Sequence, residues 1–424
     1  MIKTISIVKL TGFNNYAILS PGRIVFGLDA TARELNNLIV EEELKIRENP
    51  DFKENNSQNI KSGDTIGLIP TFDCNLSCNY CYSRGGETKE IIPFEIAQTA
   101  ILSVRDNGSS DSLDIYLVGG GEPLLYPNLA KRIVKFAQSL YKTIRVHIVT
   151  NGLFDQDTLG WIKSINSTIR VSYDGVMQDS QRLLVDGKSS REFVRRNIIN
   201  LVEAKIPITV QCIITKDGVG SILDTIDDVI GLGVSVIKLE PVLATLVSRA
   251  NESMEPNPIE YARALLGAIT HIAKRGYNLK IDTGYLSEPS NKYYCGMQKN
   301  NIIVTPAGLI TTCVEVTRCT DPFSDLVIIG KIENGRIIIN EDKRSRLSLF
   351  NIDNQGDDCR NCNMRLICHG GCPMSNLWKS GLPYGKSKFT CMVERELLPK
   401  LLLLMAENES VTKIVLDNAE MQIC

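Results

Sequence analysis

The chain has 424 residues, of which 43% are hydrophobic and 23% charged, and its formal net charge at pH 7 is −2. This length accommodates two or three domains with substantial cores. The near-neutral charge gives no electrostatic case for nucleic acid or an anionic membrane as a partner. No apolar run reaches transmembrane length, and the N-terminus lacks the features of a signal peptide, so we expect a cytoplasmic protein.

The thirteen cysteines are the most informative part of the composition. In a reducing compartment thiols stay reduced, so a dense cysteine pattern predicts metal ligation rather than disulfides. Eleven of the cysteines fall into two groups, Cys74 to Cys81 and Cys295 to Cys391, and only three histidines are present. Ligation by thiolates alone suits iron–sulfur clusters or zinc.

Residues 1–62 are predicted to form a small α/β unit followed by a polar linker. The pattern indicates short strands and one helix, which Thr31 can cap with Glu34 three residues later. The strands are predicted at Ile5–Leu10, Tyr16–Leu19 and Ile24–Leu28, and the helix runs to Ile46. This arrangement resembles the peptide-recognition elements of peptide-modifying enzymes, which add a substrate strand to a sheet edge. A lid or packing extension is the alternative.

Residues 63–285 alternate between predicted strands and helices. The strands are predicted at 65–71, 113–118, 143–149, 167–173, 207–215 and 235–240, and the helices at 94–106, 127–140, 155–164, 190–204, 221–232 and 258–275. Six β/α units predict a parallel sheet with right-handed crossovers. Because six units are too few for a closed eight-stranded barrel, we predict an open (β/α)6 partial barrel.

A three-cysteine loop follows the first of these strands. Cys74, Cys78 and Cys81 have C-x3-C-x2-C spacing, and Tyr80 precedes the last cysteine. Three thiolates can hold three irons of a [4Fe–4S] cluster and leave the fourth iron without a protein ligand. A zinc knuckle lacking one ligand is the alternative. The spacing and the aromatic residue resemble the signature of the radical S-adenosylmethionine (SAM) enzymes.

A glycine-rich run follows the second strand. In the run Gly119-Gly120-Gly121-Glu122-Pro123, Gly120 and Gly121 allow backbone groups to approach a ligand closely, and Glu122 can accept hydrogen bonds from an ammonium group. The run resembles the Gly-Gly-Glu-Pro motif that holds the methionyl amine of SAM in this family. An ordinary turn is the alternative.

Polar residues also follow the third and fourth strands, where ligands of parallel sheets gather. The resemblance implies that Ser172 and Asp174 contact the ribose and carboxylate of SAM. Asn151 is a second polar candidate, and Arg182 is a candidate partner of the SAM carboxylate. Turn chemistry or a solvent-exposed charge is the alternative for each.

Strands five and six carry two candidate catalytic residues. Cys212 is predicted to be a small buried filler, and the alternative is a thiol that donates a hydrogen atom to a substrate radical. Glu240 ends strand six, where it could face the cavity and contact substrate or adenine.

Residues 286–395 carry eight cysteines, and seven of them, together with Gly308, have spacings that resemble the SPASM extension of radical SAM enzymes. That extension carries two auxiliary [4Fe–4S] clusters, and zinc is the alternative. The resemblance assigns one cluster to Cys295, Cys313 and Cys372. It assigns the other to Cys359, Cys362, Cys368 and Cys391. Asn301 occupies the position of the missing fourth ligand of the first cluster. Cys319 is therefore the candidate ligand, and otherwise that iron is open.

Residues 396–424 are predicted to form a C-terminal helix and tail. A Leu-rich helix is expected over Glu394–Met405 and a short strand over Lys413–Leu416.

The family resemblance implies an enzyme that cleaves SAM reductively to a 5′-deoxyadenosyl radical, which abstracts a hydrogen atom from carbon. Auxiliary clusters suit oxidative outcomes such as a thioether or carbon–carbon cross-link in a ribosomally made precursor peptide, with flavodoxin or ferredoxin as electron donor. Alternatives are a peptide epimerase with Cys212 or Cys319 as hydrogen donor, a sulfatase-maturing enzyme and a small-molecule dehydrogenase. A non-catalytic iron–sulfur or zinc protein is the alternative from another class.

Overall fold

The computed structural model describes residues 5–10, 14–20, 23–48, 64–108, 110–244, 249–282, 284, 293–299, 301–382, 385, 387–415 and 420–423. The strands are β1 (Ser6–Lys9), β2 (Tyr16–Ser20), β3 (Arg23–Gly27), β4 (Asp64–Leu68), β5 (Leu76–Cys78), β6 (Ser112–Leu117), β7 (Thr143–Thr150), β8 (Ser167–Ser172), β9 (Arg182–Leu184), β10 (Ile208–Ile214), β11 (Val236–Pro241), β12 (Lys280–Asp282), β13 (Ile303–Val304), β14 (Leu309–Thr311), β15 (Ile328–Glu333), β16 (Arg336–Ile339) and β17 (Glu420–Ile423). The α-helices are α1 (Ala32–Glu48), α2 (Phe94–Asn107), α3 (Pro127–Gln138), α4 (Gln156–Ser164), α5 (Gln178–Gln181), α6 (Arg191–Glu203), α7 (Ile222–Gly231), α8 (Pro258–Arg275), α9 (Ser324–Val327), α10 (Glu341–Ser348), α11 (Asp357–Arg360), α12 (Arg365–Cys368), α13 (Pro373–Ser380), α14 (Lys388–Glu407) and α15 (Glu409–Val415).

The largest sheet runs from the predicted barrel into the cysteine-rich region, in the order β12-β11-β10-β8-β7-β6-β4-β13-β14-β15-β16. The six predicted barrel strands are β4, β6, β7, β8, β10 and β11, and β12 adds a further parallel strand beside β11. Beyond β4, β13 continues the parallel pairing, and β14, β15 and β16 follow it antiparallel. The α/β prediction is confirmed, and the cysteine-rich region is built directly onto the barrel sheet.

The two faces of the barrel strands differ in polarity. On β8 and β10, Val171 and Val210 are register partners and are fully buried in the core that the helices cover. Ser172 and Gln211 are also register partners, and both are half-buried. Because side chains alternate along a strand, these polar residues lie on the opposite face, which lines the barrel interior.

The N-terminal unit is a separate four-stranded sheet of order β1-β2-β3-β17. Its three strands and its helix lie where the sequence predicts them. Thr31 and Glu34 form the predicted capping box, with the Thr31 N–H donating to Glu34 Oε2 at 2.8 Å and the Glu34 N–H donating to Thr31 Oγ1 at 3.3 Å. β17 pairs parallel with β3, so the C-terminal tail completes this N-terminal sheet.

The prediction of a strand over Lys413–Leu416 is wrong for Lys413–Val415, which are helical. Leu416 lies outside the described residues. The segment belongs to α15, where Val411 and Ile414 are buried at helical spacing. Lys413 also pairs with Glu409 at 2.7 Å, an i,i+4 contact that only a helix provides.

Helix α14 packs against α8 over much of its length. The rings of Phe389 and Tyr261 lie 6.2 Å apart, and Leu397 and Leu401 are fully buried. Each such leucine contributes roughly 1.5–3 kcal/mol on burial. No helix in the described part of the chain combines the length and apolarity needed to span a bilayer.

Candidate cofactor site

The three-cysteine loop lies at the carboxyl end of β4, where the sheet opens. Cys74, Cys78 and Cys81 are half-buried free thiols. Cys78 belongs to β5, which pairs antiparallel with β9, so that Cys78 lies opposite Arg182. The pairing of β5 with β9 joins the cysteine loop to the part of the chain that follows β8.

Backbone amides point at two of these sulfur atoms. The Leu76 N–H donates to Cys74, and the Gly85 N–H donates to Cys81 Sγ at 3.3 Å. Burial raises the pKa of the Cys74 thiol to about 12 and also raises that of Cys78. Without a metal these thiols stay protonated, and binding iron would displace their protons. The loop therefore suits three thiolate ligands of a [4Fe–4S] cluster.

The glycine run packs against the cysteine loop itself. A Cβ on Gly121 would lie 1.9 Å from the Asp73 carbonyl oxygen, and one on Gly120 would lie 3.0 Å from that of Thr71. Gly120 also has φ +90°, and the Gly121 N–H donates to the Thr71 carbonyl at 2.9 Å. The close approach of these two backbones explains the glycines. Their contact with SAM remains a prediction.

Glu122 is buried between the ends of β6 and β7. Its Oε1 accepts hydrogen bonds from the Leu124 N–H at 2.9 Å and from the Thr150 hydroxyl at 2.7 Å, and its Oε2 accepts one from the Asn151 N–H at 2.6 Å. Pro123 is the second residue of the turn that this carboxylate caps. Burial raises the pKa of Glu122 to about 7 despite these bonds. Oε2 keeps one lone pair for an ammonium group.

Asn151 connects this carboxylate to the cysteine loop. Its side-chain nitrogen donates to Asn75 Oδ1 at 2.7 Å and lies 4.0 Å from Cys74 Sγ. Asn151 therefore positions the loop, and its direct contact with SAM remains a prediction.

Asp174 is fully buried. Its Oδ2 atom accepts hydrogen bonds from Gln181 Nε2 at 2.8 Å, from Arg182 Nε at 2.9 Å and from the Tyr80 hydroxyl. Its Oδ1 atom accepts one from the Ile213 N–H at 2.9 Å. The side chain therefore connects the cysteine loop to β10, and its contact with SAM remains a prediction.

Arg182 likewise has partners within the protein. Besides Asp174, its guanidinium lies 5.2 Å from the centre of the Tyr80 ring, and its Nη1 lies 3.7 Å from Cys78 Sγ. These contacts disfavour the predicted pairing with the SAM carboxylate. Together, Tyr80, Asp174 and Arg182 hold the cysteine loop against the end of β8.

Ser172 is a predicted SAM contact whose hydroxyl faces the barrel interior. Its hydroxyl makes no hydrogen bond to another of the described residues, and it faces the barrel interior beside Gln211. Glu240 lies on the same face, where its carboxylate accepts a hydrogen bond from Gln211 and pairs with Lys238 Nζ at 2.8 Å. Sequence reasoning missed Gln211 and Lys238, although strand alternation would have placed both beside Glu240.

The structure disfavours Cys212 as a hydrogen-atom donor. Cys212 is the register partner of Leu239, it is 1% exposed, and it belongs to the core beneath the helices. It therefore points away from Gln211 and the barrel interior. Its position agrees with the prediction of a small buried filler.

The four cysteines predicted for one auxiliary cluster surround a single cavity. This cavity is lined by Cys359, Cys362, Cys368 and Cys391, together with Arg365 and Arg395 among other residues. The Met364 N–H donates to Cys362 Sγ at 3.4 Å, and the Gly370 N–H donates to Cys368. Such a cavity suits a closed four-thiolate cluster.

The other auxiliary set brings three cysteines together around Glu315. Burial and then the nearby Glu315 carboxylate raise the pKa of Cys372 to about 12, and the same two causes raise that of Cys313. Burial raises the pKa of Cys295, to which Glu315 also contributes. Cys319, in contrast, is the exposed cysteine of the twelve that the structure describes. Its surface position disfavours it as the fourth ligand and as a hydrogen donor inside the barrel.

Tyr82 joins this set to the three-cysteine loop. Burial raises its pKa, and electrostatic interactions with Cys81, Glu315, Cys313 and Glu240 contribute in the same direction. A Cβ on Gly119 would meet the Tyr82 hydroxyl at 2.7 Å. Sequence reasoning missed Tyr82 and Glu315. Tyr82 directly follows Cys81, and Glu315 lies two residues after Cys313. Their positions next to predicted cluster ligands could have identified both.

Among the residues that the structure describes, no three His, Cys, Asp or Glu side chains converge on a position for a single metal ion.

Comparison with known proteins agrees with this site. Residues 68–229 match the model of the radical SAM superfamily. The sporulation killing factor maturation protein SkfB of Bacillus subtilis is 27% identical over 191 residues, 44% of either chain, so the match spans less than half of that relative.

Two solved structures share the fold over most of this chain. Native anSMEcpe with bound AdoMet and the Kp18Cys peptide aligns with a TM-score of 0.70 at 16% identity, covering 82% of this chain and 99% of that one. Streptococcus suis SuiB bound to its precursor peptide SuiA aligns with a TM-score of 0.58 at 16% identity, covering 83% and 81%. Residues 68–229 thus match a radical SAM domain, and the chain as a whole shares the fold of these two solved structures.

Proposed function

We propose that this chain is a cytoplasmic radical SAM enzyme that modifies a ribosomally made precursor peptide oxidatively, giving a thioether or carbon–carbon cross-link. Its cofactors are SAM and three [4Fe–4S] clusters. One cluster is held by the three-cysteine loop and the two auxiliary clusters by the two downstream cysteine sets. The observation that carries this proposal is the position of Tyr82, which directly follows Cys81, while a Cβ on Gly119 would lie 2.7 Å from its hydroxyl and 3.7 Å from Cβ of Val314, the residue after Cys313.

The proximity of Tyr82 to the residues around Cys313 supports an oxidative outcome. When bound, the loop cluster supplies the electron that cleaves SAM into methionine and a 5′-deoxyadenosyl radical, which takes a hydrogen atom from the peptide. Closing a cross-link then removes a second hydrogen as a proton and an electron. The auxiliary cluster that we assign to the set around Cys313 would accept this electron, and a flavodoxin or ferredoxin would be the external redox partner.

The chain's own residues bind and orient the reactants. Glu122 holds the methionyl ammonium through the free lone pair on Oε2, and Ser172 offers its hydroxyl to the ribose. Gln211 and Lys238 hold the Glu240 carboxylate toward the interior, where it faces substrate. The Asp174–Arg182 pair keeps the cysteine loop in place behind them.

Two further observations support a peptide substrate. SkfB, which resembles this chain in sequence, is a maturation protein of the sporulation killing factor. SuiB, which resembles it in fold, has been solved bound to its precursor peptide SuiA. In the N-terminal sheet, β17 occupies the edge of β3, whereas β1 pairs only with β2 among the described strands. The outer edge of β1 can therefore accept a peptide strand.

The test uses the anaerobically reconstituted enzyme with SAM, dithionite and short peptides encoded beside its gene. We expect 5′-deoxyadenosine together with a peptide that has lost two hydrogen atoms and gained a cross-link in its fragmentation spectrum. A peptide of unchanged mass that gains one deuterium in D2O would instead indicate epimerisation. A fully loaded enzyme that forms no 5′-deoxyadenosine would contradict the proposal altogether.

A further inference from the structure

The face of β8 and β10 that lines the barrel interior is polar and only partly buried. Along both strands, buried residues alternate with residues that keep part of their surface accessible. The polar accessible positions are Thr168, Arg170 and Ser172 on β8 and Thr209 and Gln211 on β10. The core of a packed barrel is filled by apolar side chains, so this face has room for a polar ligand.

On the flanking strands, the charged side chains of this face compensate one another. Arg145 on β7 forms a bidentate pair with Asp114 on β6, with both N–O distances at 2.6 Å. Asp114 also bonds to His147 Nε2 at 3.1 Å. On β11, Lys238 Nζ lies 2.8 Å from the carboxylate of Glu240. Each of these cations therefore already has an anionic partner.

Arg170 differs from these cations. It is half-buried, and its guanidinium forms no hydrogen bond or ion pair with any other residue that the structure describes. A guanidinium carries five N–H donors in a planar fork. Removing part of its hydration without supplying a partner costs free energy. We therefore expect an anionic ligand to bind at this position.

A neighbouring aromatic pair favours an organic anion. The rings of Tyr116 and His147 stack with centroids 4.2 Å apart, and Tyr116 is 38% exposed on the same interior face. His147 lies on β7, which pairs directly with the strand that carries Arg170. An aromatic ring offers contact to the carbon atoms of a ligand whose carboxylate binds the guanidinium. An acidic amino-acid side chain combines these two parts, whereas an inorganic anion does not.

The position of Arg170 along β8 favours the peptide over SAM as the source of this carboxylate. Ser172 ends β8 at the same edge of the sheet as the cysteine loop, and Arg170 lies about 7 Å further from that edge. Glu122, which we propose to hold the methionyl ammonium, is also at that edge. Arg170 therefore faces the deeper part of the interior, beyond the proposed ribose contact.

We infer that Arg170 is a substrate-specificity residue that binds the side-chain carboxylate of an aspartate or glutamate in the precursor peptide. The inference rests on the proposed function, because it names the part of the peptide that the site recognises. A carboxylate accepts two parallel N–H bonds from a guanidinium, which fixes its orientation as well as its position. Binding there holds the peptide inside the barrel, next to the proposed SAM site.

The test uses the full chain, reconstituted anaerobically and loaded with SAM, and three blocked amino acids as probes. N-acetylglutamate α-amide has a side-chain carboxylate, N-acetylglutamine amide has none, and N-acetylalanine has a main-chain carboxylate. Titration calorimetry gives the Kd of each probe for the parent, Arg170→Met and Arg170→Lys. Arg346→Met is the matched control, since Arg346 is an exposed arginine on α10. The Kd of SAM and the melting temperature are measured on the same proteins.

We expect the parent to bind the glutamate probe at least about tenfold more tightly than either other probe. Arg170→Met should raise the Kd of the glutamate probe by about 10- to 100-fold. Arg170→Lys should give an intermediate Kd, because an ammonium keeps the charge but lacks the planar fork. Arg346→Met should match the parent. Because Arg170 has no hydrogen-bond partner among the described residues, its removal should change neither the melting temperature nor the Kd of SAM.

Several results would overturn the inference. Absent binding of the glutamate probe, or equal affinity for the glutamate and glutamine probes, would show that the site does not recognise a side-chain carboxylate. Tighter binding of N-acetylalanine would assign the site to a main-chain carboxylate. A raised Kd of SAM in Arg170→Met would assign the guanidinium to SAM, and a lowered melting temperature would assign it a structural role.

Failure of this inference is distinguishable from failure of the proposed function. A peptide that the parent and Arg170→Met modify with equal kcat/KM contradicts the role of Arg170 and leaves peptide modification intact. A loaded parent enzyme that forms no 5′-deoxyadenosine contradicts the proposed function, whatever the affinities of the probes.

Discussion

Cys78 and Arg182 face each other across the two-stranded sheet of β5 and β9, with Arg182 Nη1 3.7 Å from Cys78 Sγ. The same guanidinium donates to the buried Asp174 at 2.9 Å. A positive charge and a hydrogen-bond donor beside a cluster sulfur raise the reduction potential of the cluster, because they stabilise its reduced state, which is the more negative of the two. Arg182 therefore links the stability of the loop to the electronic properties of its cluster.

Replacing Arg182 should change both properties. Arg182→Met leaves Asp174 buried without its cationic partner, so the free energy of unfolding should fall by about 3–5 kcal/mol. The loop-cluster potential should also fall by tens of millivolts, on the order of the 59 mV that corresponds to a tenfold change for one electron. Urea denaturation and a potentiometric EPR titration measure these effects.

Arg263→Met is the matched control for Arg182, because it removes an exposed pair with Glu396 of the same 2.9 Å length. Such a surface pair is worth about 0–1 kcal/mol. A loop-cluster potential that is equal in Arg182→Met and the parent would contradict the electronic role of Arg182.

Gly121→Ala should disrupt the cysteine loop. The added Cβ would lie 1.9 Å from the Asp73 carbonyl oxygen, so one backbone segment must move, at a cost of about 1–3 kcal/mol. Iron per chain in the reconstituted protein should fall with the melting temperature. Gly160→Ala in α4 is the control, since its Cβ would meet no atom within 4 Å. This control should stabilise the helix by about 0.5–1 kcal/mol, and an iron deficit there would argue against the steric explanation.

Glu122 should make stability fall as pH rises from about 4.5 to about 7. Its pKa in the folded protein is raised from the usual 4.5 to about 7, so the folded state binds more protons than the unfolded state in this window. Above pH 7 this group destabilises the fold by about 3 kcal/mol relative to low pH. Urea denaturation at several pH values, compared between the parent and Glu122→Gln, isolates this contribution. Parallel stability curves for the two proteins would exclude it.

Cys391→Ala should lower the iron content by up to about four atoms per chain, because it removes one of the four thiols around the auxiliary cavity. Cys212→Ala is the control, since Cys212 lies in the core beneath the helices. It should keep the parent's iron content and its yield of modified peptide. Loss of peptide modification in Cys212→Ala with iron retained would restore Cys212 as a hydrogen donor.

Ser172→Ala should weaken SAM binding without destabilising the protein. The lost hydrogen bond is worth about 0.5–1.5 kcal/mol, which corresponds to an increase in Kd of roughly two- to tenfold. Equilibrium binding to the reconstituted enzyme measures this change. Ser164→Ala, which removes an exposed hydroxyl from α4, is the control and should leave Kd unchanged. An equal Kd in Ser172→Ala would assign the ribose contact elsewhere.

Local sequence patterns were sufficient for much of this protein. The strand and helix periodicities of the barrel depend on neighbouring residues, so the predicted elements agree with β4 to α8 within a few residues. Thr31 and Glu34 likewise lie three residues apart, and their capping box is a local interaction. The C-x3-C-x2-C loop is equally local, because three thiols on one short loop must lie close together.

The roles of individual side chains depended on pairings that no local pattern records. Tyr80 and Asp174 are 94 residues apart in sequence, and Arg182 and Cys78 are 104 apart, yet these contacts hold side chains that were predicted to bind SAM. The face of β10 on which Cys212 lies depends on the strand's register with β8 and β11. Glu315 and Cys319 follow Cys313 by two and six residues, and only the tertiary packing leaves Glu315 half-buried and Cys319 exposed. The sequence alone thus determined which cysteines form the candidate cluster sites, whereas the tertiary structure decided which faces and partners the surrounding side chains have, since burial and register are set by distant parts of the chain.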